Sequence, residues 1–397
     1  MNSSTVVLGK IAKISSGGTP DRDTPSYWGG DIPWVKTTQI QNRSIYADDV
    51  DEWITPEGLK HSAAKMVPKG TILMAMYGQG KTRGQVAILG LDATVNQACA
   101  AIELDADVSR NYVYQQLLFR YQAIRALSNT GSQENLNAGL IREIGFPLPA
   151  RVEQDYVAEL LTNWDAAIEK TERLIVAKEN YLNAIEHQLL TARKRLNGFS
   201  NSWESLRADK IFDSVSLKGF GSEPLLSVTQ DCGVIPRDML TGRVTMPSGE
   251  TTSFKLVEPG NFVISLRSFQ GGLEHSDYRG LVSPAYTVLR ATREIDVRFF
   301  RHYFRSADFI KRLSVAVIGI RDGKQVSFKD FCSIKIPFPP VEEQQAIATM
   351  LDEAEREIAL LRNQVTAFKK QKRGLMQKLL TGQWRVTVPI SKEVPHA

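Results

Sequence analysis

The chain has 397 residues, of which 42% are hydrophobic and 23% are charged, and its formal net charge is +5. This composition is typical of a folded globular protein, and the length suffices for two or three domains. The sequence has no run of about 18 apolar residues and no signal-peptide core, so we expect a cytoplasmic protein without a membrane partner. Three distant cysteines, Cys99, Cys232 and Cys332, favour reduced thiols.

A glycine-rich stretch at 74–89, "MAMYGQGKTRGQVAIL", resembles the end of a phosphate-binding loop. Such a loop needs Gly-x-x-x-x-Gly-Lys-Ser/Thr and must open a helix. Gly80-Lys81-Thr82 supplies the end of that motif, but Ala75 stands at the first glycine position. The run 84–90 that follows is short, apolar and β-branched, which favours a strand. We therefore predict strand, glycine turn and strand over 71–89, without a bound nucleotide.

Two segments rich in Glu, Lys, Ala and Leu, at about 151–197 and 341–382, are predicted to be long helices. Each begins just after a group of prolines, where helices commonly start. Gly198 and Gly382 are expected to end them.

Both helices have apolar residues spaced alternately four and three apart, which predicts a coiled coil. The seam positions are Val157, Leu161, Trp164, Ile168, Ile175, Leu182, Ile185, Leu189, Ile347, Leu351, Ile358, Leu361, Val365, Phe368, Leu375 and Leu379. Because a whole globular segment lies between the two helices, we expect them to pack on each other antiparallel. The alternative, in which each helix packs on its own globular segment, is less favoured by so narrow and long a seam.

Three seam positions are polar, namely Thr171, Lys178 and Lys372. A lysine there can lie along the seam with its ammonium group in water. Alternatively, polar seam residues select one alignment of the helix pair. The sequence leaves both roles open.

The chain is a tandem repeat with an offset of 190 residues. The segment 143–161, "EIGFPLPARVEQDYVAELL", resembles 333–351, "SIKIPFPPVEEQQAIATML". The same offset pairs Gly70 with Gly260 and the Leu-Leu-Thr at 189–191 with that at 379–381. Self-similarity over this length indicates two copies of one unit.

Composition divides each copy into a globular part and a helix. The globular parts are rich in short β-type runs, Gly, Pro and aromatic residues, and are predicted to be α/β domains. The predicted divisions are 1–150, a spacer helix at 151–200, 201–340, a second spacer helix at 341–385 and a tail at 386–397. The fold class is thus two tandem α/β (α+β) domains joined by two long antiparallel coiled-coil helices in a pseudo-two-fold repeat.

The stretch 16–40, "SGGTPDRDTPSYWGGDIPWVKTTQI", and the repeated "I-x-x-P-x-P…EQ" start of each helix resemble the specificity subunit of type I restriction-modification systems. The resemblance covers nearly the whole chain, in the order target-recognition domain, helix, target-recognition domain, helix. The 16–40 motif is absent from the second copy, where "VSLKGFGSEPLLSVTQDCGVIPR" replaces it. Two different recognition domains suit two different half-sites.

The resemblance implies a non-catalytic protein that recognises a bipartite, asymmetric sequence in double-stranded DNA. It also implies partners, namely two copies of an adenine methyltransferase (modification) subunit and restriction or motor subunits. S-adenosylmethionine, ATP and magnesium would be bound by those partners, and no cofactor is expected in this chain. Two alternatives remain: a specificity subunit that serves a fused nuclease–methyltransferase, and a coiled-coil adaptor that does not bind DNA.

Base edges and phosphates are read by Arg, Lys, Gln, Asn, Ser and Thr in loops. The candidate DNA-binding residues are Lys36, Thr37, Thr38, Gln39, Tyr77, Gln79, Lys81, Arg83, Gln133, Asn135, Arg267, Phe269, Gln270, Arg321, Lys324 and Gln325. The repeat places two of these loops at matching positions, one after "GTILMAM" or "GNFVISL" and one before "I-x-x-P-x-P". The basic run Lys369-Lys370-Gln371-Lys372-Arg373 could face the DNA backbone, although charged helix faces are commonly solvated.

A catalytic role is not favoured by the sequence. The Asn/Asp-Pro-Pro-Phe/Tyr motif of amino-methyltransferases is absent, and the five histidines do not pair with cysteines at zinc-site spacing. Asp322-Gly323-Lys324 resembles half of a nuclease motif but lacks the other half, so a turn is the favoured interpretation. We predict neither a catalytic nor a metal site.

Overall fold

The computed structural model describes residues 5–78, 80–128, 135–240, 251–316 and 326–386. The chain divides into two compact units, one formed by Met1–Glu172 with Asn363–Ala397 and the other by Arg173–Arg362. Each unit contains one globular part together with half of each long helix. The division between units therefore falls within the helices, whereas the sequence places its divisions at their ends.

The first globular part consists of short strands and four short helices. Its strands are β1 Thr5–Val7, β2 Ala12–Ser16, β3 Trp28–Val35, β4 Ser44–Ile45, β5 Glu52–Ile54, β6 Met66–Val67, β7 Ile72–Ala75, β8 Val86–Leu89, β9 Ala93–Val95, β10 Cys99–Leu104 and β11 Gly145–Pro147. Its helices are α1 Pro56–Lys60, α2 Arg110–Phe119, α3 Tyr121–Leu127 and α4 Ala138–Arg142. The strands form a five-stranded sheet in the order β2-β10-β7-β8-β4, a four-stranded sheet in the order β5-β3-β9-β6, and the pair β1-β11.

The second globular part repeats much of this arrangement. Its strands are β12 Glu204–Arg207, β13 Phe212–Val215, β14 Leu226–Thr229, β15 Gly233–Pro236, β16 Lys255–Val257, β17 Phe262–Ile264, β18 Glu274–His275, β19 Gly280–Val282, β20 Thr287–Ala291 and β21 Lys335–Phe338. Its helices are α6 Ser268–Gly271, α7 Val297–Arg305, α8 Ala307–Ala316 and α9 Phe328–Cys332. The sheet order β13-β20-β17-β18 corresponds to β2-β10-β7-β8, and the pair β12-β21 corresponds to β1-β11. The two globular parts thus contain separate sheets with the same strand order, as the tandem repeat predicts.

Aromatic side chains dominate the core of the second part. Phe212, Phe262, Phe300 and Phe304 are fully buried, and their rings pack edge-on or tilted at centroid distances of 5.0 to 5.8 Å. The offset ring geometry adds to the stabilisation that burial alone provides. In the first part, aliphatic residues such as Leu8, Ile72 and Ile102 occupy the corresponding core.

The long helices α5 Arg151–Leu190 and α10 Val341–Leu380 have the same length and the same 190-residue offset at both ends. Both begin just after the prolines, as predicted. All sixteen apolar seam positions are buried or partly buried. The heptad pattern therefore identified the packed face of each helix correctly.

The helices run antiparallel within each unit. In the first unit, Arg385 just beyond α10 lies 2.8 Å from Glu153, whereas Lys372 lies 2.6 Å from Asp165 and Lys369 lies 2.7 Å from Glu172. Position rises on α5 as it falls along the partner segment, which confirms the antiparallel prediction. In the second unit, Lys178 pairs with Glu357.

The ends of the helices also pack against the globular parts. Leu161 of α5 and Leu379 of α10 lie in one cluster with Tyr112 of α2. Leu189 and Ile347 lie in the aromatic core of the second part. Pairing of the helices with each other and packing on the globular parts, treated as alternatives from the sequence, therefore occur together.

Two glutamines explain the repeated "EQ" motif. The Gln154 side chain accepts a hydrogen bond from the Ser109 backbone N–H at 2.9 Å and donates to the Pro149 carbonyl at 2.8 Å. Gln344 accepts from the Asp296 backbone N–H at 2.8 Å and donates to the Pro339 carbonyl at 2.8 Å. Both side chains are buried, so each fastens the start of a long helix to the residue that precedes α2 or α7.

The first helix ends earlier than the glycine stop predicted from the sequence. Helix α5 ends at Leu190, and Ala192 adopts the left-handed conformation with φ 59°. In α10 the equivalent position is Gly382, with φ 75°. Gly198 therefore does not end α5, because the helix stop is Ala192, the position equivalent to Gly382 in the second copy.

Candidate nucleic-acid interface

The glycine turn at 76–85 connects two antiparallel strands. Strand β7 pairs with β8 in the register Ile72↔Ile88 and Met74↔Val86. Gly78, Gly80 and Gly84 all have positive φ, which glycine adopts without steric penalty. The strand–turn–strand prediction is confirmed. Because β8 rather than a helix follows Lys81, this turn has no helix N-terminus that could hold a phosphate.

Helix α3 supports this turn from one side. The Tyr121 hydroxyl donates to the Lys81 carbonyl at 2.5 Å, and Arg125 donates to the Tyr121 hydroxyl at 2.8 Å. The Lys81 side chain is exposed, and Tyr77 is 42% exposed. The backbone of the turn is therefore held while a cation and an aromatic ring remain in solvent. Tyr121 and Arg125 were not among the residues predicted from the sequence, although their i,i+4 spacing on a helix is a detectable signal.

A second candidate segment lies beside the turn. The Leu136 backbone N–H donates to the Met76 carbonyl at 3.1 Å, and the Leu136 side chain is fully buried. Asn135, immediately before it, is exposed. The structure thus brings Asn135 close to the start of the turn that contains Tyr77, Lys81 and the partly buried Arg83. Two further candidates, Gln79 and Gln133, lie outside the described residues.

Residues 36–39 make contacts mainly within their own domain. Gln39 is buried, and its side chain accepts from the Lys36 backbone N–H at 2.7 Å and donates to the Asp49 carbonyl at 2.8 Å. The Lys36 ammonium group binds the Glu52 carboxylate. Gln39 and Lys36 thus have partners within their own domain, and their contact with DNA stays a prediction. Thr37 is partly buried and Thr38 is exposed in a short 3-10 turn.

The electrostatic state of Glu52 agrees with this structural role. Burial opposes its ionisation, but hydrogen bonds from Lys36 and Arg22 outweigh that effect and hold the pKa of Glu52 below its usual value. The guanidinium group of Arg22 also lies 3.9 Å from the ring centroid of Trp28. The Trp-Gly-Gly segment of the first copy is therefore built around a compact cluster of charged and aromatic side chains.

In the second copy, the segment that corresponds to the glycine turn is a short helix. The strand β17 is followed by α6, Ser268–Gly271, where the sequence predicted a loop. The Ser268 hydroxyl accepts from the Ser265 backbone N–H at 2.9 Å, which stabilises the turn before α6. Arg267 and Gln270 are exposed. The Phe269 side chain and the candidates Arg321, Lys324 and Gln325 lie outside the described part of the chain.

Glycine is required where this segment returns to the sheet. Gly272 has φ 84°, and a Cβ atom there would lie 1.9 Å from the Phe304 carbonyl oxygen. Backbone atoms cannot move aside as a flexible side chain can. The segment 265–271 is therefore held against α7 at its C-terminal end, while Arg267 and Gln270 remain accessible.

Part of the basic run on α10 forms ion pairs with α5. Lys369 lies 2.7 Å from Glu172, and Lys372, only 8% exposed, lies 2.6 Å from Asp165. Lys370 and Arg373 are exposed. Two of the four cations in this run thus pair with α5, and contact of the run with DNA stays a prediction.

One group of side chains in the second unit has the composition of a metal site. His302, Asp352 and Glu355 offer ligand atoms within 4.8 Å of one another. Arg301, however, donates to Asp352 at 2.6 Å and to Glu355 at 2.9 Å, and His302 lies 2.8 Å from Asp352. Burial lowers the pKa of His302. The guanidinium group already balances the carboxylates, so this geometry does not favour a bound cation.

Comparison with known proteins identifies the family. The profile of the type I restriction modification DNA specificity domain matches residues 2–179 and 248–367. The chain belongs to this family. Since the match includes most of both globular parts, both copies of the repeat are specificity domains.

Individual relatives match this chain with 26–29% sequence identity over part of its length. The putative type I restriction enzyme MjaX specificity subunit of Methanocaldococcus jannaschii is 26% identical over 294 residues, which are 68% of this chain and 66% of the relative. The EcoR124I/EcoR124II specificity subunit of Escherichia coli is 28% identical over 164 residues, 40% of each chain. The MjaIX specificity subunit of M. jannaschii is 29% identical over 168 residues, 41% of this chain and 38% of the relative. The chain thus spans less than two thirds of the length of these curated relatives.

Solved structures show the same fold. The S subunit of a type I restriction-modification system from M. genitalium has a TM-score of 0.56 at 16% identity, with 95% of this chain and 96% of that chain covered. The HsdS subunit from Thermoanaerobacter tengcongensis has a TM-score of 0.54 at 16% identity, with 96% and 97% covered. The tandem α/β fold with long helices is therefore the fold of specificity subunits. No helix in the described ranges is both long and apolar enough to cross a bilayer.

Proposed function

We propose that this specificity-family chain is the DNA-recognition subunit of a type I restriction-modification complex. Each globular part reads one half of a bipartite, asymmetric target in double-stranded DNA. The two recognition centres lie on one face of the DNA, about one helical turn, ~10 bp, apart. Family membership, the shared fold and the two-fold repeat all support this function.

The observation that carries the proposal is a pair of equivalent segments with different chemistry. Strands β7 and β17 occupy the same place in the two related sheets. The segment after β7 exposes Tyr77 and Lys81, whereas the segment after β17 exposes Arg267 and Gln270. Lysine and arginine bind phosphates, and arginine and glutamine read guanine and adenine edges. The same scaffold with different exposed side chains suits two different half-sites.

In this proposal, partner subunits carry out methyl transfer and DNA cleavage. We propose that two copies of an adenine methyltransferase subunit bind this chain, with restriction or motor subunits added to the complex. S-adenosylmethionine, ATP and magnesium belong to those subunits, and this chain has no catalytic role. The repeat supports this stoichiometry, because two related halves offer two related docking surfaces.

The first test is methylome sequencing of the native host with and without this chain. Loss of adenine methylation at one asymmetric, gapped motif is the expected result, and the motif identifies the target. An adaptor that does not read DNA would leave the methylome unchanged. Replacement of residues 201–340 with another recognition domain is expected to change one half of the motif only, and a change in both halves would contradict modular recognition.

The role of the glycine turn is tested by DNA binding to the complex at several salt concentrations. Lys81→Glu removes an exposed cation from the turn, so the slope of log affinity against log salt should become shallower by about one. Lys65→Glu is the matched control, because Lys65 is an exposed lysine of the same domain outside the candidate segments. Equal slopes for both variants would place phosphate contact elsewhere.

A further inference from the structure

The second globular part contains a cavity of about 550 Å³ next to its candidate reading segment. The turn between β14 and β15 forms one wall through Gln230 and Asp231, and residues 265–267 form another. Tyr286 contributes to a third side. A cavity of this size lies in the range of small-molecule pockets. Its position links it to the segment that corresponds to the glycine turn of the first copy.

A buried carboxylate contributes to the lining of this cavity. Glu274, the first residue of β18, is only 2% exposed. Its Oε2 accepts a hydrogen bond from Arg305 at 2.6 Å. Its Oε1 has no hydrogen-bond partner within the described residues. Glu274 thus has one satisfied and one unsatisfied oxygen.

An unsatisfied buried carboxylate oxygen is unfavourable for folding. Burial of such an acceptor destabilises the folded state unless a donor compensates for the lost water. Burial also raises the pKa of Glu274, while the hydrogen bond from Arg305 opposes the rise. The ion pair with Arg305 accounts for Oε2, and an apolar residue at position 274 would leave Arg305 without that partner. The pair does not satisfy Oε1, so a donor from a bound ligand would remove the remaining unfavourable interaction.

The donor that matches a carboxylate on DNA is an exocyclic amino group. In the major groove, cytosine presents its N4 amino group and adenine its N6 amino group, whereas guanine and thymine present acceptors. A carboxylate therefore accepts from cytosine or adenine and repels the acceptor atoms of the other two bases. Arg267, exposed at the edge of the cavity, supplies a cation for a phosphate or a guanine edge.

We propose that Glu274 is a specificity-determining residue of the second half-site and accepts a hydrogen bond from the exocyclic amino group of one cytosine or adenine. This inference rests on the proposed function of DNA recognition. Arg305 is a positioning residue, because its bond to Oε2 holds the carboxylate in place. The contact requires a base edge at the cavity.

Several of the residues that line the cavity have exposed side chains. Leu266 is 52% exposed, and Arg267 and Gln230 are exposed as well. Exposed side chains commonly change rotamer when a partner binds. Rotation of these three side chains on DNA binding would admit a base edge to the cavity.

The test uses Glu274→Gln in the full complex and compares its methylated motif with that of the native chain. Glutamine retains the shape of the side chain and an oxygen for Arg305, but it replaces an acceptor with an amide donor. The expected result is relaxed choice at a single cytosine or adenine of one half-site, with discrimination reduced about tenfold. Glu294→Gln, at an exposed acid of the same domain, is the matched control and should leave the motif unchanged.

Base analogues test the contact directly. Purine in place of adenine, or 2-pyrimidinone in place of cytosine, removes the amino group at each candidate position of the motif. The native complex should lose about tenfold in affinity at one position, and the Glu274→Gln complex should show no further loss there. Additive losses from the variant and the analogue would overturn the inference.

The outcomes separate the inference from the function on which it rests. If the native complex methylates no motif, the proposed function fails, and the inference fails with it. If the native motif exists and Glu274→Gln retains it unchanged, only the inference fails. Thermal melting checks the fold of the variant; if Glu274→Gln is unstable, Glu274→Asp replaces it in the analogue comparison, because aspartate keeps the acceptor but withdraws it by one methylene.

Discussion

The ion pair between Lys372 and Asp165 gives the most specific prediction for the helix pair. Lys372 occupies a seam position and is 8% exposed, and its ammonium group lies 2.6 Å from the Asp165 carboxylate, whose side chain is 45% exposed. The change Asp165→Ala leaves the ammonium group in the seam without its counter-ion. It also removes the acceptor of a 2.8 Å hydrogen bond from Gln115.

The expected loss of stability follows from the exposure of the Lys372 and Asp165 side chains. Loss of one partner from a fully buried pair destabilises a protein by about 3–5 kcal/mol, whereas an exposed pair contributes about 0.2–1 kcal/mol. Because Lys372 is buried but Asp165 is half exposed, we expect Asp165→Ala to lower the free energy of unfolding by about 1–2 kcal/mol. For a cooperative unit of about 200 residues this lowers Tm by about 2–8 °C.

A second ion pair of the helices provides the control. Lys178 also lies at a polar seam position, but its side chain is 32% exposed and that of its partner Glu357 is 55% exposed. Glu357→Ala should change the free energy of unfolding by no more than about 0.5 kcal/mol. Thermal melting of the full chain, followed by circular dichroism, measures both variants at one pH and salt concentration.

A double variant tests whether the unpaired charge of Lys372 is what destabilises Asp165→Ala. Lys372→Met removes the charge and keeps a flexible apolar side chain, so Asp165→Ala combined with Lys372→Met should recover most of the lost stability. Size-exclusion chromatography then tests whether the pair also selects the alignment of the helices, since misassembled species would appear as additional peaks. Equal Tm values for Asp165→Ala and Glu357→Ala would refute the reasoning, because burial would then have no influence on the contribution of the pair.

Three further predictions concern the helix ends and one buried acid. Ala192→Gly should raise the free energy of unfolding by about 0.5–1 kcal/mol and Gly382→Ala should lower it by a similar amount, because both positions have positive φ; equal melting temperatures would contradict this. Gln344→Ala removes two buried hydrogen bonds and should destabilise by about 2–3 kcal/mol in urea unfolding, more than Gln345→Ala at the exposed neighbour. Burial, reinforced by Glu355, raises the pKa of Glu186 to about 7, so the folded state binds this proton more tightly than the unfolded state. Stability should therefore fall as pH rises from about 4.5 to 7, and Glu186→Gln should remove about 1–2 kcal/mol of that loss; an unchanged pH profile would contradict the assignment.

The periodic parts of the sequence predicted structure well. Helices α5 and α10 begin where the prolines end, and their heptad positions are the packed positions, because a 40-residue helix has to bury its apolar stripe along its whole length. The 190-residue offset correctly predicted two copies, since equivalent residues such as Gln154 and Gln344 perform the same task at each helix start. The glycine turn was also predicted, because a β-branched run after glycine favours a strand over a helix.

The sequence alone determined the tandem order of domains and helices and the antiparallel pair, since these depend on periodicity and repetition. Its motif at 16–40 and the repeated helix starts resembled the family to which the chain belongs. Tertiary structure decided which polar residues are available for recognition. The Gln39 side chain is hydrogen-bonded to the backbone of Lys36 and Asp49. Glu274 became a candidate only because the fold buries its carboxylate beside a cavity and pairs it with Arg305 of α7. The exposure and the partners of a polar side chain are set by segments far away in sequence, so residue type and spacing could not reveal them.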